Sequence, residues 1–248
     1  MPAVFVHGNP ESAEIWDLLI PKLDRDDVIT LSPPGFGAPV PDGWGATRLE
    51  YVDWLVVELE AIGEPVDLVG HDWGGGHVAG VALTRPDLLH SWTIDLGGLF
   101  HPDYEWHDMA QGWQTEGVGE ELVAGMFGAP LADRVAMYVD LGMTNGIAAK
   151  VAAAGNEEMS RCILALYRDA AQPVMRELGS DLSVMRQRPG HVIIAEQDDY
   201  VGTEAMARDT AERAGASVSF LPGVGHWWMM QNPTSGAEAL NSFWSSID

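Results

Sequence analysis

The chain has 248 residues, 46% hydrophobic and 20% charged, the proportions of a globular protein with enough core for one domain carrying an insertion. Its 37 acidic and 13 basic residues leave a formal net charge of −24. That surface repels phosphate backbones and anionic membranes, so it excludes nucleic acid and membrane as partners and disfavours a strongly anionic substrate.

A single cysteine, Cys162, excludes an intramolecular disulfide and a cysteine-based zinc site, and fits a cytoplasmic location. Ala3–Val6 is an apolar run too short for a signal peptide, and it reads directly as a buried strand. No stretch approaches the roughly 20 apolar residues of a membrane span. His7-Gly8-Asn9-Pro10 follows as a loop, and residues 12–23 carry helical spacing through Ile15, Leu18, Leu19 and Leu23. Val28–Leu31 is a second strand, ending in the tight loop Ser32-Pro33-Pro34-Gly35-Phe36-Gly37. Residues 38–46 are too rich in Pro and Gly to be regular. Arg48–Ile62 is a helix with Leu49, Val52, Leu55, Val56 and Leu59 on one face. A third strand at 66–69 runs into Gly70-His71-Asp72-Trp73-Gly74-Gly75-Gly76, and a helical segment follows at 78–83. Strands are further expected at 91–95, 191–195 and Ser217–Leu221, and helices at 203–214 and 234–247.

Strands alternating with helices imply parallel βαβ units, hence an α/β fold with a mostly parallel sheet covered by helices on both faces. The alternation stops between 99 and 173, where Trp, Met, Ala and Gly recur with helical but no strand periodicity. That interval reads as an inserted helical cap, or lid, leaving 1–98 and 174–248 as the core. Glycine clusters here fit neither a P-loop nor a dinucleotide fingerprint, so no nucleotide or other cofactor and no metal is expected.

The pattern Gly70-x-Asp72-x-Gly74 between strand and helix matches a nucleophile elbow, a sharp turn that lifts one side chain above the C-terminal edge of a sheet, with Asp where Ser is usual. His7-Gly8-Asn9-Pro10, Pro34-Gly35-Phe36-Gly37, Gly70-His71-Asp72-Trp73-Gly74-Gly75, Ala195-Glu196-Gln197-Asp198 and Gly225-His226-Trp227 occur in order. On these motifs, over essentially its whole length, the chain resembles the α/β-hydrolase superfamily, and within it the branch of epoxide hydrolases and haloalkane dehalogenases. That family usually has two further strands before the first one seen here. A sheet of about six strands is therefore expected, and an exposed edge of that kind allows a homodimer to pair through it.

The resemblance implies a division of labour. An ionised Asp72 needs no base to attack a saturated carbon bearing a leaving group, and the product is an alkyl ester on the enzyme. His226, in the loop after the last strand, holds the position of the general base that activates water against that ester. Asp198 holds the position of the acid that orients it, with Asp95 at the end of the fourth strand as the alternative. By the same resemblance, the backbone N–H groups of Trp73 and Asn9 form the oxyanion hole, and the bond before Pro10 is cis. His71 and His77 are read as packing or hydrogen-bonding residues, and His7 as bracing its loop.

The electrophile divides the two readings. An epoxide oxygen must be protonated, and Leu166-Tyr167-Arg168 resembles the motif that supplies a cap tyrosine for this. Tyr104 is the first choice for its partner and Tyr138 the second. A halide needs N–H donors instead, and Asn9 and Trp73 stand where one dehalogenase subgroup has its halide-stabilising pair. The leading expectation is an epoxide hydrolase making a diol from an apolar epoxide and water, with a haloalkane dehalogenase as the alternative. A non-enzymatic small-molecule receptor is the reading of another class. Trp106, Trp227 and Phe36 are expected to line an apolar substrate pocket.

Overall fold

The computed structural model describes residues 1–247. Its short apolar runs become β1 (Ala3–Val6), β2 (Val28–Leu31), β3 (Val66–Gly70), β4 (Leu89–Ile94), β5 (Gly190–Ala195) and β6 (Ser217–Leu221). They form one six-stranded sheet in the order β2-β1-β3-β4-β5-β6, with every neighbouring pair parallel. Along β1 the side chains alternate. Val4 and Val6 join a core with Leu68, Trp92 and Ile94, while Ala3 and Phe5 join a second core with Val69, Ile193 and Trp228. Strand periodicity of two thus gives the sheet two buried faces.

The helices are α1 (Arg48–Ile62), α2 (Trp73–Thr84), α3 (Asp108–Gln114), α4 (Val118–Gly128), α5 (Leu131–Asp140), α6 (Asn145–Ala154), α7 (Glu157–Asp169), α8 (Val174–Leu178), α9 (Glu204–Ala214), α10 (Trp228–Gln231) and α11 (Pro233–Ile247). Three differ from what periodicity implies. Residues 12–23 form two 3-10 turns, Ala13–Trp16 and Ile20–Lys22, because Pro21 lacks the N–H an α-helix needs there. In α1, Tyr51 is buried and Leu49 is 58% exposed, so the buried face is rotated from the one expected. Helix α2 begins at Trp73, directly after Asp72, five residues before the expected start.

Every regular element between β4 and β5 is helical. These helices bury their apolar sides against the sheet's own cores. Trp113, Met159, Ile163 and Tyr167 join one core, and Tyr138, Met143, Ile147 and Val151 join the other. Among the described residues, no single helix is long and apolar enough to cross a membrane.

The strand order fixes where a ligand can sit. The chain goes from β1 to one side, to β2, then crosses back to β3 on the other side and continues outward. The loops leaving β1 and β3 therefore diverge, opening a crevice above the carboxyl ends of these two strands. Residues 7–10 and the Asp72 turn are those two loops.

Candidate active site

Asp72 sits at φ 49° and ψ −130°, a strained left-handed conformation for a side chain with a Cβ. The surroundings hold it there. Its N–H donates to Asp95 Oδ1 at 3.0 Å, and its Oδ1 accepts from the Asn9 N–H at 3.0 Å. Two glycines make the close approach possible. A Cβ on Gly8 would lie 2.2 Å from Asp72 Oδ1, and one on Gly74 would lie 2.1 Å from the Val6 carbonyl oxygen. The Asn9–Pro10 bond is cis. Among the described residues only the Asn9 amide donates to the Asp72 carboxylate; the Trp73 N–H makes no hydrogen bond to it.

His226 Nε2 lies 3.8 Å from Asp72 Oδ2, and its Nδ1 is 2.8 Å from Asp198 Oδ2. Asp198 is fixed in turn by the Tyr200 N–H, which donates to its Oδ1 at 2.9 Å. Asp95 instead accepts from Trp228 Nε1 at 2.8 Å, from His71 Nδ1 at 2.5 Å and from Asp72 N–H. The acid beside His226 is therefore Asp198. The gap between His226 and Asp72 exceeds a direct hydrogen bond and suits one shared through water.

Beneath this pair lies a cluster that sequence reasoning missed. His71 is fully buried between Asp95 and Glu11, whose Oε1 is 3.1 Å from its Nε2. Burial alone lowers the His71 pKa, but the two carboxylates outweigh it and raise it well above the ordinary value. The ring is thus an imidazolium donating to both. Burial alone raises Glu11; the His71 charge overrides it and holds Glu11 at about 2. Glu11 also accepts from the Gly8 N–H at 3.2 Å and from Trp227 Nε1. This triad ties the loop after β1 to the turn after β3 and to residue 227. Its signal in the sequence was Glu11 directly after Pro10 and His71 directly before Asp72, but nothing in spacing pairs residues 60 positions apart.

Burial raises the Asp72 pKa to about 6, and the Glu11 charge adds to this, while His226, His71 and the Asn9 N–H pull the other way. Burial lowers His226, and Asp198 more than restores it, so its pKa lies above the ordinary histidine value. Burial likewise pushes Asp198 up and its histidine partner brings it below the usual range. The arrangement supplies a carboxylate with one free oxygen, an imidazole within a water's reach, and an amide donor on the other oxygen.

A cavity of about 100 Å³ opens onto Asp72, Asn9 and His226. Met109, Trp113, Met126, Leu141 and Trp227 make it apolar, and His107, Tyr138, Tyr167 and Tyr200 bring polar groups to it. Tyr167 is packed against Trp73, Trp106 and Trp113 at ring distances of 5.6, 5.5 and 4.7 Å. Its hydroxyl donates to no protein acceptor among the described residues, and burial keeps it protonated. Asn9 is 4% exposed, and both polar atoms of its side chain lack a partner.

Other expected site residues lie elsewhere. Tyr104 does not line the cavity, and its hydroxyl donates to the Tyr200 carbonyl oxygen at 2.7 Å. Tyr138 lines it, but its hydroxyl donates to the Pro10 carbonyl oxygen at 3.0 Å. Phe36 packs against Tyr51 at 5.9 Å, and Trp106 stacks on Trp73 at 6.0 Å; none of Phe36, Trp106 and Trp73 lines the cavity. Both His107 and Tyr200, which do, were not anticipated. Glu11, His71 and His226 bring possible metal-ligand atoms within 4.8 Å of one another, but the mutual bond of Glu11 and His71 and the bond of His71 to Asp95 already use those groups.

Comparison with known proteins agrees with this architecture. The model of the "Alpha/beta hydrolase family" matches residues 3–239. An (E)-2-((N-methylformamido)methylene)succinate hydrolase of Acinetobacter baylyi is 33% identical over 101 residues, 40% of this chain and 38% of that protein. A cis-3-alkyl-4-alkyloxetan-2-one decarboxylase of Shewanella oneidensis is 32% identical over 110 residues, 41% of this chain and 34% of that protein. The matches thus span little more than a third of the length of these relatives. Among solved structures, a haloalkane dehalogenase from Bradyrhizobium elkani superposes with a TM-score of 0.75 at 19% identity, covering 99% of this chain and 90% of that one, a likeness of fold.

Proposed function

This chain belongs to the alpha/beta hydrolase family, and within it we propose a hydrolase that works through a covalent alkyl ester on Asp72, opening a small apolar epoxide to a diol. One observation carries the choice of epoxide: Tyr167 lines the same cavity as Asp72, and its hydroxyl, held protonated by burial, has no protein acceptor for its hydrogen among the described residues. That is what a leaving oxygen requires and a halide does not.

Asp72 Oδ2 bonds to an epoxide carbon, the C–O bond breaks, and the oxygen takes the Tyr167 proton. His226 then removes a proton from water, and the hydroxide adds to the Asp72 ester carbon, whose oxygen is held by the Asn9 N–H. The tetrahedral intermediate collapses and expels the diol alkoxide. The new Asp72 carboxyl group gives that alkoxide its proton, and the His226 proton returns to Tyr167. Asp198 stabilises the imidazolium while it lasts.

The cavity volume and lining favour substrates of a few heavy atoms without charge. Matched probes test this: 1,2-epoxybutane should be hydrolysed and 1-bromobutane should not. Tyr167→Phe should lower kcat/KM for the epoxide by about 10² to 10³, the cost of removing one leaving-group donor. An unchanged rate for Tyr167→Phe sinks its assigned role. A haloalkane dehalogenase is the second reading, favoured by Asn9, which lines the cavity and whose buried side-chain amide has no partner. Turnover of the bromide without the epoxide would establish it instead.

Asp72 must be ionised to attack. The first half-reaction, read as kcat/KM, should therefore fall as pH drops through about 6. Replacing His226 by Gln removes a neighbour that pulls the Asp72 pKa down, so the acid limb of Asp72 alkylation should move to higher pH in that variant. A limb near pH 4 in the wild type would contradict the desolvated carboxylate.

A further inference from the structure

Tyr104 and Tyr138 have spent their hydroxyl hydrogens on carbonyl oxygens, which leaves the opened oxygen with Tyr167 and, at the same cavity, Tyr200. His107 lies at the same cavity. Its Nδ1 accepts the Ala110 N–H at 3.3 Å, capping α3. A ring nitrogen that accepts carries no proton, so the neutral ring holds its hydrogen on Nε2. Burial lowers the His107 pKa to about 4, with His226 acting in the same direction and Asp198 and Asp108 against it, so the ring is neutral through the working range. Among the described residues Nε2 has no partner. The ring packs edge-on against Tyr200 at 5.0 Å, and Tyr200 packs against His226 at 5.1 Å, which ties it to the catalytic pair.

We propose that His107 is a second donor to the opened epoxide oxygen, its Nε2–H fixed in place by the helix cap that Nδ1 makes. This rests on the epoxide reading above. A neutral imidazole does not surrender its proton at these pH values, so His107 gives a hydrogen bond and Tyr167 gives the proton. The same donor also narrows the substrate class: the leaving atom must be an oxygen that accepts two hydrogen bonds in an otherwise apolar cavity.

Two substitutions separate this role from the capping role. His107→Asn keeps a good cap and is too short to donate from the Nε2 position. His107→Gln keeps a donor at about that reach and loses the cap. Measured as kcat/KM for 1,2-epoxybutane with Tm alongside, His107→Asn should lose 10- to 100-fold with Tm kept. His107→Gln should retain more activity than His107→Asn despite a lower Tm. The loss should fall on kcat, with KM little changed, because the bond strengthens only as the ring opens. Unchanged activity in His107→Asn overturns the proposal, as does activity in both variants that merely follows Tm. A wild-type protein that never turns over the epoxide overturns the epoxide reading and this inference together, an outcome distinct from an active wild type with an indifferent His107→Asn.

Discussion

Asp72→Ala should lower kcat/KM for the epoxide by at least about 10⁴-fold, some 5.4 kcal/mol of transition-state stabilisation. Nothing else at the cavity can take over the attack. Asp198 accepts from His226 and the Tyr200 N–H, and Asp95 is held by three donors. The same substitution should leave Tm no lower than in the wild type at pH 8. Burial raises the folded-state pKa of Asp72 from the ordinary 3.8 to about 6. The sign is then fixed: the favourable, protonated form exists below about pH 4, and its contribution is lost as pH rises through about 6. Above that, the ionised side chain is a liability to the fold that the proposed attack requires, and alanine removes it. A marked fall in Tm at pH 8 would mean that the carboxylate is satisfied and that its single bond to the Asn9 N–H undercounts its partners.

His226→Gln should separate the two halves of the reaction. The attack needs only an ionised Asp72, so a first equivalent of epoxide should still be consumed, at a rate within about tenfold of the wild type above the shifted acid limb of this variant. Water activation has no substitute: Glu11 and His71 are locked together beneath the site, and His107 Nδ1 is occupied by the Ala110 N–H. Turnover should therefore drop by at least about 10³, with the ester accumulating to one per chain. The intact mass should rise by the mass of the epoxide. Equal loss of the first equivalent and of turnover would place His226 in the attack step and overturn the division of labour.

The fold was legible because its signals are local. Runs of four to six apolar residues, a glycine-rich turn and alternating helices are read from neighbours in sequence, and the six-stranded parallel sheet follows from them. Asp72, His226 and Asp198, which the structure brings within 3.8 and 2.8 Å, were legible for the same reason: each stands in its own short motif at a strand end. The misjudged parts depend on side-chain direction and long-range pairing. Tyr104 and Trp106 lie between β4 and α3, and whether the Tyr104 hydroxyl faces a cavity or a carbonyl oxygen is set by residue 200, almost a hundred positions away. The spacing at 12–23 favoured a helix, but the missing N–H of Pro21 decides for 3-10 turns. The buried Glu11–His71–Asp95 triad was the largest omission: His71 was read as a hydrogen-bonding residue and Asp95 as an alternative acid, but Glu11 looks like an ordinary loop residue and only burial makes the three a unit.

Glu11 and His71 also explain why an anionic site of this kind tolerates burial. Two carboxylates share one imidazolium, and every polar atom named in the triad has a partner, the condition under which buried charges persist. The triad holds the Gly8 N–H and the Asp72 N–H from opposite sides, so the Asn9 donor and the Asp72 carboxylate are set by one buried network.

The most direct test is a single turnover in H2(18)O with enzyme in excess over 1,2-epoxybutane. The ester route transfers an oxygen of Asp72 to the diol and leaves the water oxygen on the carboxylate. The first diol should therefore be free of (18)O and the peptide containing Asp72 should gain it. A first diol that carries (18)O, with an unlabelled Asp72, would mean that water attacks the substrate directly and that the covalent ester does not form.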